Sequence, residues 1–187
     1  MKKLLLTCLL FSFASSAQAA IVFYDLAGTA GPGLLPGNEP GTILGGTGGE
    51  IGGGIFLDTD TNILTLGVGW GSSQGFTDLS NTASASHIHG PVSSDFGAGF
   101  TQTFGTAFNL ARSTNAVTGG VFTPNTVTLS PAQVTALDQG KFYINIHTTG
   151  VNSGGELRGF IVPVPEPTSA VLGLASLGAL TLRRRRA

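Results

Sequence analysis

Three histidines, His87, His89 and His147, are the side chains of this chain best suited to chemistry. In a strand, residues two apart share a face, so His87 and His89 point the same way while Ile88 between them faces a core. His147 closes a run in which Phe142, Ile144 and Ile146 alternate with Tyr143, Asn145 and His147, the period of a strand with one buried side. Three neutral imidazoles converging from two strands suit Zn²⁺ or Cu²⁺, with the fourth position open to water or to Glu156, which stands as a ligand or behind the ligands. The same residues also fit a structural role without metal, in which each imidazole hydrogen-bonds a carboxylate or backbone group and His147 meets Glu156. Arg158 is expected to pair with Glu156 or with a carboxylate of a neighbouring strand.

Other chemistries lack their residue sets. Serines are plentiful, but no Ser-His-Asp arrangement can be named from spacing, and Asp58, Asp60 and Glu156 offer carboxylates without a pairing pattern. The glycine-rich stretch carries neither a phosphate-loop Lys-Ser or Lys-Thr nor a dinucleotide spacing. Asp58-Thr59-Asp60-Thr61-Asn62 alternates like a calcium loop, yet Ile63 holds the sixth place and Gly69 the twelfth, so a hairpin turn is the better reading. No catalytic residue and no organic cofactor is assigned.

The elements that must position the histidines follow from pattern. Phe142–Thr148 and the stretch from Leu157 read as a hairpin joined by the turn-rich 149–154 segment. Keeping Leu157 out of water sets a register with Asn145 near Arg158 and His147 near Glu156, and gathers Tyr143, Asn145 and Arg158 on a polar face. Further strands are expected at 21–26, 55–57, 63–70, 86–89 and 106–110. Residues 27–54, rich in Gly and Pro, read mostly as loop. Phe96, Phe100, Phe104 and Phe108 recur every four residues, but the glycines between them favour a loop leading into a strand over a helix. Ser130 as cap, Pro131 in the first turn and Gly140 beyond the end mark a short helix near 131–138.

The ends read as removable. Residues 1–19 combine a basic start, an apolar run and the small-x-small site Ala17-Gln18-Ala19 of a signal peptide helix, and Cys8, the only cysteine, lies within it. Pro165-Glu166-Pro167 precedes an apolar stretch from Thr168 to Leu182 and then Arg183, Arg184, Arg185 and Arg186. That stretch is short for a span, and its arginines would keep the C-terminus cytoplasmic. Between the ends, 20–163 reads as one domain. Through Val164 it holds three cations against nine carboxylates, a charge of −6 where the whole chain has −1. Such a surface excludes nucleic acid as a partner, since phosphate neutralisation dominates that binding.

In its order of motif, apolar helix and arginine cluster, 164–187 resembles the PEP-CTERM sorting signal of exopolysaccharide-producing bacteria. That resemblance implies processing by an exosortase-type protease after signal peptidase, transient inner-membrane anchoring, and a final place at the outer surface or in the extracellular matrix. His87-Ile88-His89-Gly90-Pro91, Leu137 to Gly140, Tyr143 to Thr148 and Gly154-Gly155-Glu156-Leu157-Arg158-Gly159, in that order, resemble the CHRD domain first named in chordin. The resemblance spans about 22–162 and implies an all-β, antiparallel, Greek-key-like sandwich similar to superoxide dismutase, with no attributed enzymatic activity. Dismutase chemistry itself needs more histidines than three. The resulting expectation is an exported, non-catalytic surface module for an unidentified protein or polysaccharide, the alternative being a Zn or Cu protein built on the three histidines.

Overall fold

The structure, a computed structural model, describes residues 20–93 and 103–165. Within them nine strands run β1 (Ile21–Ala27), β2 (Gly48–Asp58), β3 (Ile63–Trp70), β4 (Ala83–His89), β5 (Thr106–Asn109), β6 (Gly120–Val121), β7 (Thr126–Thr128), β8 (Phe142–Thr148) and β9 (Leu157–Pro163). One helix, α1 (Pro131–Asp138), lies between β7 and β8. Every pairing is antiparallel, and the strands form one sheet ordered β5-β4-β8-β9-β1-β2-β3-β6, with β7 also on β3. Beyond β5 the chain bridges to β6 through Arg112 and Phe122, and Ser113 N–H and Thr123 N–H donate across the gap to Val121 and Ala111. The sheet is thus nearly closed into a barrel. The expected signal segment, 1–19, and all of the expected sorting segment but Val164 and Pro165, including Glu166, Pro167 and Arg183 to Arg186, lie outside the described residues. Among the described residues no helix is long and apolar enough to cross a membrane.

The core is built from the inward half of each alternation. Leu57, Leu64, Leu66, Val68, Ile88, Phe142, Ile144, Ile146, Leu157 and Ile161 pack in one cluster with Trp70 and Leu137. The helix is set by its ends: Ser130 accepts from Gln133 N–H, and the Gln133 side chain accepts from Ser130 N–H, two otherwise orphaned donors satisfied reciprocally. Tyr24 donates to Asp138 at 2.5 Å and ties the helix to β1. The Asp58 to Asn62 turn is a turn, with Asp58 Oδ1 accepting from the N–H groups of Asp60 and Thr61.

Two expectations change. The glycine-rich stretch is loop only as far as 47, because β2 begins at Gly48 and pairs with β3 across an irregularity between Glu50 and Ile55. Glycines lack the side chains from which strand periodicity is read, so that half of β2 gave no pattern. The second change concerns the loop before it. Leu34 bridges Gly48, and Leu35 exchanges two backbone hydrogen bonds with Arg158 where β1 no longer covers β9. A segment expected to be surface connector therefore extends the sheet.

Candidate metal centre

The face of β4, β8 and β9 turned away from the main core carries the candidate residues. β4 pairs β8 with Ala85 opposite His147, His87 opposite Asn145 and His89 opposite Tyr143. His147 is thereby the diagonal neighbour of His87, within reach for long side chains. The three half-buried imidazoles gather: one ligand nitrogen from each lies within 4.8 Å of the others. His87 Nδ1 stands 3.1 Å from His147 Nε2, and the rings of His87 and His89 meet edge to face at 5.1 Å. Two nitrogens bound tetrahedrally at 2.0–2.1 Å lie about 3.3 Å apart, so the His87–His147 pair is close to ligand spacing, and the His89 nitrogen stands within 4.8 Å of both.

Backbone carbonyls set the tautomers. His89 Nδ1 lies 2.7 Å from the Phe104 oxygen and His147 Nδ1 lies 2.9 Å from the Ser153 oxygen. A carbonyl only accepts, so both Nδ1 atoms carry protons; in the neutral rings each Nε2 then bears a lone pair, and that of His147 accepts from His87 Nδ1. That is how protein scaffolds orient imidazoles for metals. The Nε2 of His89 is buried and has no hydrogen-bond partner among the described residues. Burial, then the neighbouring His147, His89 and Arg112, push the His87 pKa down to about 4. Burial likewise lowers that of His89, so both are neutral at neutral pH.

Glu156 does not take part. Its strand register is as expected, with Glu156 N–H donating to Ile146, but Gly155 at φ +140° turns the chain and sends the carboxylate away from His147. Oε1 accepts from Gly46 N–H and Ser80 N–H, and Oε2 accepts from Ser80 and Thr148 hydroxyls at 2.5 and 2.7 Å and from Asn152. With both oxygens committed to uncharged donors, it is neither the fourth ligand nor the partner of His147. Burial raises its pKa, but those bonds outweigh it and the net shift is downward. A side chain at Gly45 would collide with this carboxylate, which is why the loop that wraps it is glycine there.

Arg158 pairs not with Glu156 but with Glu39, at 2.8 Å and with both side chains almost fully buried. Asn145 Nδ2 also donates to Glu39. The polar face of Tyr143, Asn145 and Arg158 is consequently interior, each residue at most 2 % exposed. Tyr143 is stacked between the His89 ring, at 4.9 Å and 9° to it, and the Arg158 guanidinium, 4.1 Å from its centroid. Burial raises the Glu39 pKa to about 6, more than Arg158 and Asn145 lower it.

Glu39, Phe104 and Ser153 are the members that reading the sequence misses. Two contribute through backbone groups, which leave no residue-type signal. Glu39 left one, as the sole acidic residue between Asp25 and Glu50. The sequence also spells Gly-x-Ser-x-Gly at Gly71 to Gly75, but Ser73 there sits in a three-residue 3-10 turn and not on a strand-to-helix elbow, and no histidine bonds it.

Fold and face together define an antiparallel β domain with three imidazoles gathered on one side of its sheet. A family model described as the CHRD domain matches residues 37–161, about two thirds of the chain, and the protein belongs to that family. The match begins inside the loop that carries Glu39, so β1 lies outside it although β1 holds β2 and β9 together. No curated protein and no solved structure matches the chain.

Proposed function

We propose that this chain is an exported CHRD-domain protein whose centre binds a divalent transition metal, Zn²⁺ or Cu²⁺, through His87, His89 and His147. The observation that carries the reading is the gathering of the three imidazoles, with His89 and His147 each held by its Nδ1 against a backbone carbonyl and the far edge of the His147 ring turned to His87. On this reading the curled sheet is a flattened barrel of the superoxide-dismutase-like sandwich kind, and the open fourth position takes water. Elemental analysis of the purified protein after dialysis against a mild competing chelator tests it. One equivalent of zinc or copper, lost on His87→Ala, His89→Ala or His147→Ala, is the expected result. A metal-free protein in which His147→Ala merely melts lower would overturn it.

A second reading, a non-catalytic module for an extracellular protein or polysaccharide, is favoured by the exposed Leu44 and Val151. They lie on adjoining loops beside a cavity of about 180 Å³ lined by Glu39, Ile43, Val151 and Arg158. In either case export by the signal peptide and surface sorting by 164–187 belong to the proposal. Deleting 164–187 is expected to release the domain early into periplasm or medium, and unchanged placement would contradict the sorting signal.

A further inference from the structure

We infer that Tyr143 is a positioning residue for the metal centre, holding the His89 imidazole in the one orientation that presents its Nε2 to His87 and His147. The inference rests on the metal reading and adds to it the residues that shape the site from behind. A histidine on a strand face rotates freely about its terminal torsion, for which the wells are broad. Here two contacts remove that freedom. The Tyr143 ring lies parallel against His89, fixing its plane, and the Phe104 peptide fixes which edge faces inward. The two contacts are themselves joined, because the Phe104 carbonyl accepts from His89 while the Phe104 N–H donates to the Tyr143 hydroxyl at 3.2 Å.

Behind Tyr143 the arrangement continues. Arg158 covers its far face, Glu39 anchors Arg158, and Phe160 packs at 5.3 Å between ring centroids. Val92 and Tyr143 complete a small apolar cluster with Phe160, separate from the main core. A ring so enclosed cannot tilt without disturbing the Glu39–Arg158 pair. The buried lone pair on His89 Nε2 supports the role, since leaving such an atom without a partner is costly unless the scaffold holds it for a ligand.

The test uses the purified full chain with one equivalent of Cu²⁺, read by chelator competition for affinity and by electron paramagnetic resonance for coordination. Tyr143→Leu is expected to weaken copper binding by about 10- to 100-fold, the usual effect of losing an outer partner of a ligand, and to change the spectrum. Tyr143→Phe, which retains the ring, is expected to restore the wild-type spectrum, and its failure to do so would overturn the role of the ring. A folded Tyr143→Leu protein with wild-type affinity and spectrum overturns the inference while leaving the metal reading intact. Wild-type protein that takes up no copper and no zinc overturns both. Should Tyr143→Leu not fold, Arg158→Lys replaces the flat guanidinium while retaining the charge opposite Glu39. It must then show the same spectral change at smaller amplitude, and an unchanged spectrum there overturns the inference.

Discussion

Two buried carboxylates near the turn of the β8–β9 hairpin, Glu156 and Glu39, solve the same problem in opposite ways. Among the described residues Glu156 is neutralised by no cation; five hydrogen bonds from backbone amides, hydroxyls and an amide side chain hold its charge and lower its pKa. Glu39 has a guanidinium at 2.8 Å, yet burial raises its pKa to about 6. Several fixed dipoles stabilise a carboxylate better than one cation whose own desolvation must also be met. The Glu156 region is accordingly a fastener between loops, joining Gly46, Ser80 and Asn152 to β8. The Glu39 region is a support for a stacked tyrosine and, through it, for a histidine.

The contrast can be broken most severely at Arg158. Arg158→Ala strands the Glu39 charge and uncovers Tyr143, and should cost about 3–5 kcal/mol in urea denaturation. Replacing both partners, Arg158→Met with Glu39→Leu, should recover most of that loss, and a double variant no more stable than Arg158→Ala would show the pair is not the source. Glu156→Gln comes next, at about 2–3 kcal/mol, because an amide turns donors toward donors while the charge that strengthened the bonds is gone.

Acid separates the regions by sign. A folded pKa raised to about 6 means Glu39 takes up its proton in the folded state first, so its contribution to stability grows as pH falls from about 6 to the ordinary carboxylate value. Glu156 behaves in reverse: its contribution is full above the ordinary value and is lost as pH falls through its lowered folded pKa. His87, depressed to about 4, stabilises the metal-free fold above its ordinary value near 6.5 and loses that contribution on descent toward 4. Stability profiles of Glu39→Gln, Glu156→Gln and His87→Asn against wild type should therefore diverge in three different directions or windows. Coinciding profiles would refute the assignment. Smallest of all, Val151→Ser, on a fully solvated loop tip, should stay within about 0.5 kcal/mol.

Much of this was legible beforehand where side chains alternate. The limits of β3 at Ile63 and Trp70, the α1 cap at Ser130 and the Asn145–Arg158 register all follow from apolar periodicity or capping chemistry that residue types display directly. Convergence of the histidines required knowing that β4 lies beside β8, a long-range pairing that neither strand encodes by itself. The partners of Glu156 and Arg158 are not legible from a strand pattern, which offers Arg158 either Glu156 or a carboxylate on a neighbouring strand, whereas its partner Glu39 comes from a loop. Gly155, with φ of +140° and no room for a side chain against Asn145 and Glu39, rotates one carboxylate out and lets another in.

The seam at 111–113 and 121–123 bears on how such a domain endures without covalent cross-links. The sole cysteine, Cys8, lies outside the described residues, so no disulfide joins any two of them. Stitching one rim of the sheet to the other instead leaves little unpaired ladder on which a second chain could template itself. Durability here is a matter of closure, and it is indifferent to whether the surroundings oxidise or reduce.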